Sequence, residues 1–323
     1  MKRKWIRRVS WILLTPVLLF VILMILLYIP PVQNLLRREV TAYASKATGM
    51  QIQVERIDLR FPLNLLVRGV EVIQQPDTLL SLESLNVRVQ AWPLVKGKVE
   101  VDEVTLSQVA FNSANLIEGM KIKGVLGRFF LQSHGVDLSN ELAVINQTEL
   151  SDTHVQMLMN DTTTTPKDTT ASAPVNWKVD LHKLKLKNVS FSMQLPADSM
   201  RMAAHIGEAF INDAQADLKN QFYELKQFLL SGSSANYDTG AAKPGEGFDA
   251  SHIAVRDIRI GLDSLLYKSR DMNAVIREFS MNERSGLSIT SLTGRAFSND
   301  SIIRIPGIKL QTPCLLYTSP SPR

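Results

Sequence analysis

The stretch VEVDEVTLSQVAF, residues 99–111, carries apolar side chains separated by two, three, two, three and two positions. Residues 179–191, VDLHKLKLKNVSF, repeat this spacing. An amphipathic helix places its apolar residues three and four apart, and a half-buried strand places them two apart. The spacing therefore matches neither element in its regular form.

A shorter unit, apolar-x-apolar-x-x-apolar-x-apolar, recurs along the chain. It occurs at Ile52/Val54/Ile57/Leu59, Val99/Val101/Val104/Leu106, Val179/Leu181/Leu184/Leu186, Ile253/Val255/Ile258/Ile260 and Ile303/Ile305/Ile308/Leu310. In a regular strand, the three-residue step would turn the second apolar pair to the opposite face. One extra residue at that step, a β-bulge, would keep all four side chains on one face and bend the strand. The alternative is a regular strand in a sheet that is buried on both faces.

The residues at the three-residue step favour the bulge. They are Glu55-Arg56, Asp102-Glu103, His182-Lys183, Arg256-Asp257 and Pro306-Gly307. Four of these pairs are polar and the fifth is typical of a turn, which suits a bulge open to solvent. No matching series of helices is present to cover the apolar side. Residues 50–313 are therefore predicted to be mainly β, forming an elongated, curled, antiparallel-type sheet of bulged strands.

The net charge of +5 is concentrated at the N-terminus. Residues 1–8 contain five of the 36 basic residues, so the remaining 31 balance the 31 acidic residues. The five are Lys2, Arg3, Lys4, Arg7 and Arg8. The rest of the chain is formally neutral, and we predict no nucleic-acid partner.

Residues 9–30 follow this basic tail as a run without charge as far as Ile29. As a helix the run would be about 31 Å long, enough to cross a hydrocarbon core of roughly 30 Å. The preceding basic residues place the N-terminus in the cytoplasm and the bulk of the chain on the far side. A cleaved signal peptide is the competing interpretation, but the A-x-A site at residues 42–44 lies well past the run. A single transmembrane anchor is therefore predicted.

Residues 31–49 are predicted to form a short amphipathic helix that lies near the membrane surface or leads into the first strand. Its apolar residues fall at helical spacing, and Gly49 supplies a C-cap. They are Val32, Leu35, Leu36, Val40 and Tyr43.

Three further segments interrupt or end the β region. The Thr-rich residues 160–174 and the segment 239–247 are predicted to be flexible loops inserted into the sheet. The last ten residues, CLLYTSPSPR at 314–323, resemble a translated sequencing adapter and are interpreted as not biological. They include Cys314, the only cysteine, so no disulfide is expected.

Catalytic chemistry has little basis in this sequence. The five histidines show no metal-ligand spacing, and no nucleophile elbow, Walker loop or dinucleotide fingerprint is present. We therefore predict no enzymatic activity, no catalytic residues, no metal and no cofactor. What remains is the apolar face, which the residues alone allow to be either the core of a closed sandwich or barrel or the lining of an open groove.

The order of these features resembles the AsmA/TamB family of diderm bacterial envelopes. The resemblance is carried by the basic tail, the anchor, the short helix, GMQIQVERIDL at 49–59 and LLSLESLNVRVQAWPLVKGKVEVDEVTLSQVAF at 79–111. It implies an inner-membrane, single-pass protein whose β-groove lies in the periplasm and conducts phospholipids between the inner and outer membranes. The alternative role in this family is that of a translocation and assembly factor, which assists outer-membrane protein insertion together with a barrel-assembly protein.

Under this resemblance, side chains from three of the repeated units would line a lipid groove. The expected lining residues are Ile52, Val54, Ile57, Leu59, Val99, Val101, Val104, Leu106, Val179, Leu181, Leu184 and Leu186.

Overall fold

The computed structural model describes residues 29–60, 63–90, 100–137, 140–160, 176–240 and 243–318. The predicted basic tail, the anchor as far as residue 28 and most of the Thr-rich segment lie outside the described residues. Within those ranges, no helix has both the length and the apolar character needed to cross a membrane.

The described residues form one α-helix, one short 3-10 helix and sixteen strands. The α-helix is α1 (Pro30–Thr48), and the 3-10 helix is Pro196–Asp198. The strands are β1 (Gln51–Arg60), β2 (Asn64–Gln74), β3 (Asp77–Val89), β4 (Val101–Asn112), β5 (Met120–Asp137), β6 (Leu142–Met159), β7 (Lys178–Leu195), β8 (Met200–Asp217), β9 (Phe222–Asp238), β10 (His252–Lys268), β11 (Asp271–Glu283), β12 (Ser288–Ile289), β13 (Ser291–Ser298), β14 (Ile303–Arg304), β15 (Lys309–Gln311) and β16 (Leu316–Thr318).

The strands form one long sheet in which β1 to β11 lie side by side in chain order. The order continues through β13, β15 and β16, while β12 pairs with β11 and β14 pairs with β13. The segment between β9 and β10 connects two strands that pair directly. The short β16 belongs to the segment interpreted as not biological, and each of its residues is exposed.

One pair departs from the expected antiparallel arrangement, because β6 and β7 run parallel. Leu142 pairs with Lys178 at one end and Leu158 pairs with Gln194 at the other. All other neighbouring strands are antiparallel, so the sheet consists of two antiparallel meanders, β1–β6 and β7–β16, joined side by side. Alternating apolar residues do not distinguish the two directions, since they have the same period in both.

The sheet is curled but open. Its two ends, β1 and β16, do not pair with each other, and the main contacts between elements join sheet neighbours or α1 and β1. The closed sandwich or barrel that the sequence allowed is therefore wrong for this sheet.

The helix α1 lies along the outer edge of β1, and its cap confirms the predicted end of the helix. Gly49 adopts a left-handed conformation with φ of 69°, and its N–H donates to the Ser45 carbonyl. Arg37 Nη1 donates to the carbonyl oxygens of Val54 and Glu55 at 3.2 and 2.9 Å. These side-chain bonds occupy backbone groups that an edge strand would otherwise leave unpaired.

A transverse line of unpaired residues, which we call the first crease, crosses β1 to β10. It consists of Glu55, Gly69, Glu83, Gln108, Gly127, Asp152, Asn188, Gly207, Gly232 and Asp257. Six of the ten have φ between 50° and 61°, the left-handed region: Gly69, Gln108, Asp152, Asn188, Gly232 and Asp257. A residue in this conformation interrupts the alternation of side chains along a strand.

A second line, which we call the second crease, crosses β4 to β11. Its members are Asp102, His134, Asn146, His182, Asp213, Lys226, Asp263 and Arg277. Every member is polar, and three of the strand pairs that cross it show register shifts, beside Arg88, Gln132 and Leu262.

The two creases explain the spacing of residues 99–111 and can be compared with the five bulges predicted from the sequence. Four of the five predicted bulges contain a crease residue, namely Glu55, Asp102, His182 and Asp257. The fifth prediction is wrong, because Pro306-Gly307 forms a turn between β14 and β15 rather than a bulge within one strand.

Candidate functional site

The band of sheet between the two creases carries two continuous transverse rows of apolar side chains. Directly paired residues on neighbouring strands point to the same face, so the register assigns each row to one side. The first row is Ile57, Val67, Leu85, Leu106, Phe129, Leu150, Leu186, Ala209, Leu230, Ile260 and Phe279. The second row is Leu59, Leu65, Val87, Val104, Leu131, Thr148, Leu184, Ile211, Phe228, Leu262 and Ile276. We call the side that carries both rows the apolar face.

The register places six of the predicted lining residues together in these rows. Ile57, Leu106 and Leu186 belong to the first row. Leu59, Val104 and Leu184 belong to the second row. Residues that are far apart in sequence thus occupy equivalent positions on β1, β4 and β7.

The other predicted lining residues lie beyond the creases. Ile52 and Val54 lie on the far side of the first crease, and Val101, Val179 and Leu181 lie on the far side of the second. The sixth of this group, Val99, lies outside the described residues. Because one extra residue at each crease shifts the alternation by one position, the five described side chains of this group share the apolar face with the central band.

Another apolar row continues this face beyond the first crease. It runs through Val54, Val70, Leu82, Val109, Leu126, Thr153, Val189 and Ile206. In the adjacent row, Phe111 pairs with Gly124, and a Cβ added to Gly124 would lie 2.5 Å from the Phe111 ring. The aromatic ring therefore fills the space left by the missing side chain, which keeps the apolar row continuous.

The opposite face of the same band is the more polar of the two, although one of its rows includes Leu66, Phe130, Phe210 and Leu229. Another of its rows consists of Arg56, Arg68, Ser84, Ser107, Arg128, Ser151, Lys187, Glu208 and Ser231. Arg56 also pairs with Asp58 two residues along β1, at 2.7 Å. Charged and hydroxyl side chains suit contact with water, so this row faces solvent while the apolar rows lie on the other side.

The apolar face is only partly shielded from solvent. Every residue of the two central rows is half-buried, except Ala209, which is 2% exposed. The largest side chain that is fully buried in the described ranges is Ser133, a small polar residue. A sheet whose large aliphatic side chains stay half-exposed lacks the second layer that normally covers such a face.

Sequence reasoning missed most members of these rows, although the same signal was present. In β2, Val67 and Val70 are separated by Arg68-Gly69, which repeats the three-residue step. In β6 the positions that correspond to Leu65 and Val70 hold Thr148 and Thr153, which are less apolar, so the pattern is harder to find.

The ionisable groups with shifted pKa values lie away from the two central rows. Hydrogen bonds from the backbone N–H groups of Gly245 and Ser251, and then from His252, lower the pKa of Asp249 to about 2. A hydrogen bond from His182 and the nearby charge of Lys226 lower the pKa of Asp213. Asp249 lies in the loop before β10 and Asp213 on the second crease, where both have structural partners. In the described ranges, no group of three His, Cys, Asp or Glu residues is arranged to hold a metal ion.

No protein-family model matches this sequence, and no curated protein matches it either.

Proposed function

We propose that this protein binds the acyl chains of phospholipids on its apolar face and conducts them along the transverse rows, between the inner and outer membranes. The observation that carries the proposal is the pair of rows across eleven strands, apolar at every position except Thr148, with no other described element packed against them. In this proposal the curl of the sheet makes the apolar face the inside of a groove.

The energetics of lipid transfer fit such a surface. Exposing acyl chains to water costs about 0.8 kcal/mol per methylene, so two chains with about thirty methylenes cost on the order of 20 kcal/mol. Aliphatic rows remove much of this cost while the head group stays hydrated. At about 4.8 Å per strand, eleven strands extend over roughly 48 Å, so the chains can stay shielded over a long path.

The described residues provide the apolar surface that lipid transfer requires. Transfer along a surface needs an even series of weak apolar contacts, and the central rows contain Val, Leu, Ile, Phe, one Ala and one Thr, without a charged residue. The polar row on the opposite face keeps that side in water. No proton transfer or covalent step is needed, so the proposal is that of a binding and transport protein.

The test is to introduce a charge into the second row and compare it with a charge on the opposite face. Leu184→Asp puts a carboxylate among half-buried aliphatic side chains. Lys183→Asp puts a carboxylate at the neighbouring position of β7, which is exposed. We expect Leu184→Asp to retain at least about tenfold less phospholipid after purification, because a carboxylate is costly to bring into contact with hydrocarbon. Lys183→Asp and the apolar Leu184→Met should both retain the parent amount.

Mass spectrometry of extracted lipid gives the bound amount, and circular dichroism verifies that each variant is folded. Leu106→Asp repeats the test in the first row, with Ser107→Asp as its control. If the Asp variants of the apolar rows bind and transfer lipid like the parent, the rows are not the lipid path. If the folded parent binds no lipid but crosslinks to a barrel-assembly protein, the assembly function is favoured instead.

A further inference from the structure

The helix α1 contacts β1 through its polar side, which is the reverse of the usual arrangement. Gln33 Nε2 donates to the Leu59 carbonyl at 3.0 Å, and Ser45 Oγ accepts from the Ile52 N–H at 3.1 Å. Arg37 lies between them and donates to two carbonyls of β1. Gln33, Arg37 and Ser45 are spaced by multiples of four, so they share one side of the helix.

Leu35 and Tyr43 lie on the side of α1 that faces away from β1, and Val40 lies between that side and the polar one. Leu35 is 59% exposed, Val40 is 49% exposed and Tyr43 is 77% exposed. Glu39 is the single acidic residue of α1, against three basic residues, Arg37, Arg38 and Lys46. A helix with an apolar stripe, an aromatic residue and a basic balance is typical of one that lies in the interface of a bilayer.

The position of α1 in the chain identifies what covers this stripe. The helix begins at Pro30, directly after the uncharged residues 9–29, whose length and composition suit a bilayer. We propose that the outer stripe of α1 is a lipid-docking surface, seated in the head-group region of the membrane that holds residues 9–29.

This placement fixes the orientation of the sheet. The chain reverses at Gly49 and β1 runs back along α1, so the strands are roughly parallel to the helix axis. With the stripe facing lipid, the strands lie along the membrane plane and successive strands stack away from it. The apolar rows then begin close to the bilayer, at Ile57 and Leu59 of β1. This last step rests on the proposed function, whereas the docking of α1 does not.

Labels on single cysteines test the docking in the full chain reconstituted into phospholipid vesicles. In a Cys314→Ser background, Tyr43→Cys carries an environment-sensitive fluorophore on the stripe, and Phe248→Cys carries it in the loop before β10. Phe248 is a matched control, since it is also an exposed aromatic residue, at 63%. We expect nitroxide-labelled lipids to quench the label at position 43 several-fold more than at position 248, and aqueous iodide to show the opposite order.

Equal quenching by iodide at both positions would overturn the proposal. So would a label at position 43 that neither reagent quenches, because that outcome assigns the stripe to a protein partner. Leu35→Cys is the second variant, in case removal of Tyr43 disturbs the helix; Leu35 is also exposed. Phospholipid bound to the sheet is measured in the same preparation. If lipid but not iodide quenches the label at position 43 and the sheet holds no phospholipid, the transport function alone is refuted. If the sheet holds phospholipid and iodide quenches the label at position 43, the docking alone is refuted.

Discussion

The two creases cross the same long strands but are stabilised in different ways. In the first crease, backbone conformation dominates: Gly207 and Gly232 face each other so closely that a Cβ on Gly207 would lie 2.6 Å from the Gly232 carbonyl oxygen. In the second crease, polar side chains join neighbouring strands. Asp213 accepts from His182 at 3.1 Å and lies 3.6 Å from Lys226.

This difference indicates which of the two creases contributes more to the stability of the fold. Close approach of two backbones leaves no room for a larger residue, and a left-handed residue in a strand restricts the choice to Gly, Asn, Asp and similar types. Exposed ion pairs contribute little and tolerate replacement. We therefore expect the first crease to be sensitive to single substitutions and the second to be tolerant.

The largest effect is expected for Gly207→Ala. The added methyl group would lie 2.6 Å from one backbone oxygen and 2.9 Å from a second, that of Ser231, so β8 and β9 must move apart. Overpacking of this kind costs about 1–3 kcal/mol of unfolding free energy. The midpoint of urea denaturation measures it.

The matched control for this substitution is Gly261→Ala. The nearest atom to its added methyl would be Nη2 of Arg277, at 3.3 Å, which belongs to a flexible side chain. Its midpoint should stay close to that of the parent. If both variants unfold at the same urea concentration, the close approach at the first crease has no special role.

A smaller loss is expected for Asn188→Leu in β7. Asn188 has a φ of 52°, and its Nδ2 donates to Asp152 Oδ1 at 2.7 Å across the parallel pair. Leucine loses this hydrogen bond and is strained in the left-handed region, at a cost of roughly 1–2 kcal/mol. Asn188→Gly separates the two causes, because glycine keeps the conformation and loses only the hydrogen bond. Equal destabilisation by Leu and Gly would show that backbone strain contributes nothing there.

The creases also show which parts of this fold can be predicted from the sequence and which cannot. In β4 the spacing contains two three-residue steps, and each corresponds to one crease, at Asp102 and Gln108. The apolar residues on both sides of each step are large there, so the bulges could be predicted. In β8 the equivalent positions include Ala209 and Ala214, which carry too little apolar surface to define a period.

Two features of the fold could not be predicted from the apolar pattern. The parallel pairing of β6 and β7 leaves no sign in this pattern, because strands of either direction have the same alternation. The orientation of α1 depends on hydrogen bonds from Gln33 and Arg37 to a strand edge. These compete with the packing of its apolar stripe on the sheet, and the stripe alone would have predicted the opposite orientation.

The smallest effect is expected for Asp213→Asn in the second crease. The pKa of Asp213 is lowered from its ordinary value of 3.8, chiefly by the hydrogen bond from His182 and then by the charge of Lys226. A carboxyl group with a lowered pKa stabilises the folded state above its unfolded pKa, and this contribution is lost as the pH falls through the folded value. The parent should therefore unfold at a slightly higher temperature than Asp213→Asn at pH 7 and at the same temperature near pH 2. Because the group is exposed, 1 M salt should also remove most of the difference at pH 7. A difference that persists near pH 2 would contradict an electrostatic origin, and one larger than that of Gly207→Ala would reverse the order of the two creases.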